Sequence, residues 1–364
     1  MHQSIQEKAL CVLGGTLIAV AGMAIPASGA SAAPPSVKES RSVQFSAAEL
    51  TANATRASDS RTVDAKAARV QEHLDLAARN GRLIDTKKVS VSTVEDPFNR
   101  GEQVMLTWEG YKSPESITYA RRGGEGSPST TAMGIQLGGA KTVDLNRAGP
   151  KANGGSGYSA AVSTSNMYKE DGSCATTWFV PGYASSKDHK LTSCYELWAQ
   201  DKTVHFVYNR WSLWQPAPAS AIDEVGKTTD FYVASRPWRG HEYKLVDLNG
   251  WKPSQSELIK SCTTVATATI GGTYGAVTGN VAIPINRCEH YDLDITASTR
   301  RVGIDFNGTS SNNIQMDVAG DYDAVNATVL PVWADYNWVE VQWCWAWGAI
   351  CDPPTPWVAK DSGW

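Results

Sequence analysis

The chain has 364 residues, is 42% hydrophobic with 14 tryptophans, and carries a formal net charge of −4. That apolar content excludes wholesale disorder, and the weakly acidic balance excludes an electrostatic footprint for nucleic acid or an anionic membrane surface. Beyond the first 32 residues no run is long and apolar enough to cross a bilayer as a helix, so no permanent membrane span is expected.

The N-terminus carries an export signature. Leu10 to Ala24 is largely apolar, Lys8 precedes it, and Ala30-Ser31-Ala32 supplies the small-residue cleavage pattern. Gly14 and Gly15 dilute the run, which favours a cleaved signal peptide over residues 1–32 and a secreted, extracellular or cell-surface destination. Residues 33–60 are rich in Ala, Ser, Pro and Thr and read as a flexible linker. Over 61–85, Val63, Ala67, Val70, Leu74 and Ala77 recur at three- and four-residue steps, predicting an amphipathic helix that Asn80-Gly81 stops. That helix would either pack on the domain that follows or belong to a pro-segment.

From Lys87 the periodicity changes to strands. Val89 to Ser92, Gln103 to Trp108, Ile117 to Ala120, Thr176 to Val180, Leu191 to Ala199 and Val204 to Trp214 are separated by Gly, Pro and Ser clusters. No second strong helical run appears. The expectation is a mainly β protein, an antiparallel β-sandwich or barrel-like pair of sheets, stapled by disulfides. One β-rich unit would span 86–260 and a second 261–364, the two belonging to one domain or to separate ones.

Once Cys11 leaves with the signal, six cysteines remain: Cys174, Cys194, Cys262, Cys288, Cys344 and Cys351. An even count in an exported chain points to disulfides, and six cysteines allow 15 connectivities. Sequential pairing, 174–194, 262–288 and 344–351, fits best because each pair brackets a local hairpin.

The tryptophans are densest near the C-terminus. In Val339 to Trp347, alternation puts Val339, Val341, Trp343, Trp345 and Trp347 on one strand face. An aligned strip of indoles suits stacking on the apolar faces of pyranose rings. A strand that buries the same indoles against a facing sheet is the simpler reading, since large aromatics usually supply core area. Trp333, Trp343, Trp345, Trp347 and Trp357 are the candidate ligand-binding set, with a polysaccharide as the expected partner.

Candidate catalytic groups are sparse. Asp292 and Asp294 share one strand face, and two carboxylates at the right separation perform glycoside hydrolysis, although a solvated strand face has the same pattern. His205 and His241 are candidate general bases without an identifiable partner. Asp321, Asp323 and Asn326 place three oxygen-bearing side chains in one short stretch, a weak candidate for Ca²⁺, and no other cofactor is indicated. Neither G-x-S-x-G nor H-E-x-x-H occurs.

One segment points to another class. No charge occurs between Lys260 and Arg287. Residues 263–287 alternate small apolar with hydroxyl residues around Gly271-Gly272, and resemble the insertion hairpins of β-pore-forming toxins. An ordinary buried hairpin has the same pattern, and Pro284 interrupts the second arm. The leading expectation is an extracellular binding protein that uses aromatics. A secreted hydrolase, a pore-former and a structural cell-surface protein are the alternatives.

Overall fold

The computed structural model describes residues 40–56, 64–79, 84–109, 114–122, 129–138, 164–165, 167–200, 204–237, 242–253, 265–274, 277–286, 291–325 and 332–353. The signal segment, His241, Cys262, Cys288, Asn326 and Trp357 lie outside them. The chain is mainly β. Its first elements are β1 (Ser40–Ser46), α1 (Ala47–Ala52), β2 (Ala54–Arg56), α2 (Asp64–Arg79), β3 (Val89–Glu95), β4 (Gln103–Glu109), β5 (Ser116–Arg122) and β6 (Thr130–Gly138). Next come β7 (Thr164–Ser165), β8 (Met167–Phe179), β9 (His189–Gln200), β10 (His205–Gln215), β11 (Val225–Pro237), β12 (Val246–Lys252), β13 (Val265–Tyr274) and β14 (Val277–Asn286). The last five are β15 (Tyr291–Thr296), β16 (Arg301–Ser310), β17 (Ile314–Ala324), β18 (Trp333–Trp345) and β19 (Ile350–Cys351).

Two antiparallel sheets carry the fold. Sheet A runs β1-β5-β6-β18-β11-β16-β15 with β19 on β18, and sheet B runs β12-β17-β10-β9-β8-β4-β3-β2. Strands from both halves of the sequence interleave: β18 lies between β6 and β11, and β17 between β10 and β12. The two β-rich stretches expected on either side of residue 261 thus share both sheets, and residues 38–364 form one compact unit.

Alternation explains which side chains enter the core. Along β10, Phe206, Tyr208 and Trp214 point between the sheets and join Ile117, Tyr119, Phe231, Val339 and Val341 of sheet A in one buried cluster. Trp333 of β18 is fully buried there, stacked on Tyr208 with ring centroids 4.7 Å apart. The opposite parity of β10 and β9 faces outward on sheet B, and α2 covers part of that face. Ala77 packs with Cys174, Cys194 and Trp211, and Val70 with Val91, Met105 and Trp178. His73 of α2 is buried, 2.9 Å from Thr176 Oγ1. α2 thus packs on the outer face of sheet B.

The linker expected over 33–60 does not hold for Ser40 to Arg56. β1 pairs with β5 at the edge of sheet A, and β2 pairs with β3 at the edge of sheet B. Between them α1 starts at a capping box formed by Ser46 and Glu49 and buries Leu50 in the core. This strip crosses from one sheet to the other along one open side of the sandwich.

Two disulfides join residues directly opposite each other in antiparallel pairs, Cys174–Cys194 across β8/β9 and Cys344–Cys351 across β18/β19. Among the described residues no helix is long and apolar enough to cross a membrane.

Candidate ligand-binding corner

The tryptophan face of β18 runs from the interior of the sandwich out to solvent. Trp333 is core, Val339 and Val341 line the cluster behind it, and Trp343 is half-buried against the same cluster. Trp345 stacks on Trp343, with centroids 4.7 Å apart and planes inclined by 27°. Trp347 then stands 78% exposed. Alternation therefore placed the indoles correctly as far as Trp345, where the strand ends. Trp347 belongs to the turn that follows.

That turn is held from three directions. Ala346, Trp347 and Gly348 have φ of 51°, 54° and 82°, a left-handed run in which only the glycine is free of steric cost. Cys344–Cys351 closes its base. Lys227 Nζ donates to Gly348 O at 2.8 Å, and the Trp347 backbone N–H donates to Asp223 O at 2.9 Å. The second contact sets the turn beside Ile222, which is 91% exposed, and Ile350 at the start of β19 is also exposed. A stacked indole pair, a projecting indole and two aliphatic side chains thus occupy one end of the molecule. Sequence reasoning missed Ile222, Asp223 and Lys227, because only the folded chain brings the 216–224 connection beside residue 347.

The other candidates fall elsewhere. Trp333 is sealed in the core and is removed from the ligand-binding set. Asp292 and Asp294 do share a face, the outer face of sheet A, since Tyr291, Leu293 and Ile295 pack inward. Asp292 accepts from Asn307 Nδ2 at 3.3 Å. Asp294 accepts from Tyr232 OH at 2.5 Å and pairs with Arg301 at 2.8 Å, so both its oxygens are engaged. His205 lies on the outer face of sheet B. The sandwich separates it from these carboxylates, and the two sets do not form one hydrolytic site.

His205 has partners of its own. Its Nε2 lies 3.1 Å from Asp321 Oδ1 and its Nδ1 lies 3.0 Å from Asp323 Oδ1. The register explains this: Asp323 sits directly opposite His205 in the β10/β17 pair, and Asp321 is two residues along on the same face. Burial pushes the Asp321 carboxyl up to about 6, against the pull of His205. Of the candidate Ca²⁺ donors, Asn326 lies outside the described residues, and an imidazole nitrogen stands beside each of the two carboxylates. Among the described residues no group of three or more His, Cys, Asp or Glu side chains is placed to hold a metal.

No family model matches this chain, and no curated protein matches its sequence.

Proposed function

We propose that this is an exported binding protein whose ligand, a polysaccharide, docks on Trp345 and Trp347 at the end of β18. The observation that carries the reading is the stacked Trp343–Trp345 pair with Trp347 held out beside it, 78% exposed, in a disulfide-closed turn. Indoles fixed before binding lose little conformational freedom when a sugar ring stacks on them, so their apolar area converts efficiently into affinity. Export is supported by the N-terminal signature and the two disulfides. Among the described residues, the Asp292/Asp294 pair and His205 lie on opposite outer faces and do not form one hydrolytic site.

The test is depletion of the oxidised protein from solution by insoluble chitin, cellulose and peptidoglycan, with soluble sugar release measured in parallel. Binding without release is expected on at least one of them. Trp347→Ala should weaken it at least tenfold while leaving the far-UV spectrum and melting temperature unchanged. Unchanged binding in both Trp347→Ala and Trp345→Ala would exclude the corner.

A further inference from the structure

The uncharged segment folds as β13 and β14, two arms of ten residues each, paired with each other along their whole length. The register sorts their residues into two sets. One contains the pairs Ala266–Ile285, Ala268–Ile283 and Ile270–Val281, then Gly272–Gly279 and, next to the turn, Tyr274–Val277. The other contains Thr267, Thr269, Thr273, Thr278, Asn280 and Asn286, together with Val265, Gly271, Ala282 and Pro284. One parity is apolar throughout, with an aromatic at the tip; the other is dominated by hydroxyl and amide groups. Neither carries a charge. A strand that spans a bilayer needs about 9–11 residues, an apolar face for lipid, and a polar face for a water-filled lumen. Both arms meet all three requirements.

How the hairpin is attached matters as much. Among the described residues it is laddered into neither large sheet, and it pairs with β7 at Asn280–Ser165 and Val281–Thr164. It packs against β10, β12 and β17, and β14 also reaches β8. Sheet A occupies the inner face of those strands, so the hairpin lies on the outer one, and Ile270, of the apolar set, is 5% exposed. The outward parity of β10 and β17 there includes His205, Asn209, Asp317 and Asp321, all buried. Desolvating such imidazole, amide and carboxylate groups opposes an apolar contact on this surface. The hairpin's own ladder runs through ten register pairs and draws on neither large sheet.

We propose that β13–β14 is a membrane-inserting hairpin stored on the outer face of sheet B, and that it enters a phospholipid bilayer with the apolar set toward lipid and the Thr/Asn set toward water. The inference is independent of the tryptophan corner. Pro284 is compatible with it. It stands opposite Thr267, outside the apolar set, which it therefore leaves uninterrupted.

The experiment uses the full chain with phosphatidylcholine vesicles that hold a self-quenched dye, and an environment-sensitive fluorophore on single cysteines introduced at 267, 268, 269, 270, 282 and 283. Dye release at micromolar protein is expected. On adding vesicles, emission from 268, 270 and 283 should shift to the blue, and emission from 267, 269 and 282 should not. Ala268→Lys should slow release at least tenfold at an unchanged melting temperature. Should that variant fail to fold, the alternation in the labelled series decides alone. Retained dye together with water-like emission at all six positions overturns the proposal. A uniform shift at all six also overturns it, since that marks adsorption of the whole surface and not insertion of a strand pair.

Discussion

Arg210 and Asp335 meet at 2.8 Å in the middle of the sandwich, both with fully buried side chains, one on β10 and the other on β18. Around them Tyr208 OH donates to Asp335 at 2.6 Å, and Ser212 donates to Asn337 at 2.7 Å. This polar bridge ties the central strands of the two sheets together. Burial pushes the Asp335 carboxyl up to about 6 against the attraction of Arg210, so desolvation cancels much of what the pair gains.

The consequence is an asymmetry between single and paired substitutions. Asp335→Ala leaves a buried guanidinium uncompensated and should destabilise by about 3–5 kcal/mol. Arg210→Met with Asp335→Leu removes both charges and should lie much closer to the parent. Denaturant unfolding of the three proteins checks this, and equal losses in the single and double variants would refute it.

How much of this was legible in the sequence follows from the range of each interaction. The Cys174–Cys194 and Cys344–Cys351 disulfides are local, and cysteines that bracket a hairpin disclosed them. The N-terminal strip was not disclosed, because Val43, Phe45 and Leu50 are its only strong apolar residues in an Ala/Ser/Thr-rich stretch. Its strands form because the edges of β5 and β3 offer unpaired backbone groups. His205 and Asp323 stand 118 residues apart, and only the β10/β17 register brings them face to face. Trp333 and Trp347 are identical in composition and close in sequence. What separates core from surface is where β18 leaves the sandwich, which no local pattern records.

The N-terminal strip gives a second prediction. Leu50 fills the gap between the sheet edges at the top of α1 and is 1% exposed. Leu50→Ala should cost about 2–5 kcal/mol, the range for emptying a buried leucine site. Ser46→Ala, which removes only the cap, should cost about 1 kcal/mol. Thermal melts of both variants would show whether the strip belongs to the cooperative unit: a Leu50→Ala melt identical to the parent would place it outside.

A third concerns pH. Asp321 binds its proton more tightly in the folded chain, with a pKa of about 6 against 3.8 for the free side chain. A raised carboxyl pKa stabilises the native state below the unfolded value, and that contribution is lost as pH rises from about 4 through 6. The groups facing it are His205 and, beyond the imidazole, Asp323. Asp321→Asn keeps the size and removes the titration. Its melting temperature relative to the parent should therefore rise between pH 4.5 and pH 7. A difference that stays constant across that range would mean that Asp321 titrates as an ordinary carboxyl.

The turn at the end of β18 allows the backbone and the binding surface to be separated. Ala346 sits at φ 51° and Gly348 at φ 82°, both left-handed, but only Gly348 is free of a Cβ penalty there. A Cβ added at Gly348 would also lie 2.7 Å from Lys227 Cε, the side chain whose Nζ holds the turn carbonyl. Gly348→Ala should therefore destabilise by about 1–2 kcal/mol and shift Trp347. Ala346→Gly relieves strain at a position whose side chain takes no part in the indole cluster. It should leave stability equal or higher by up to about 1 kcal/mol, because the relief of a left-handed alanine is offset by the greater freedom of glycine in the unfolded chain. If the corner binds through preorganised indoles, Gly348→Ala loses affinity for the polysaccharide while Trp343–Trp345 stacking persists. Near-ultraviolet circular dichroism, sensitive to the coupled indoles, reports the second quantity independently of the first. Loss of affinity with an unchanged indole signal assigns the contribution to Trp347. Loss of both would make the turn a support for the stacked pair, and retained affinity would mean that the position of Trp347 does not matter for the ligand.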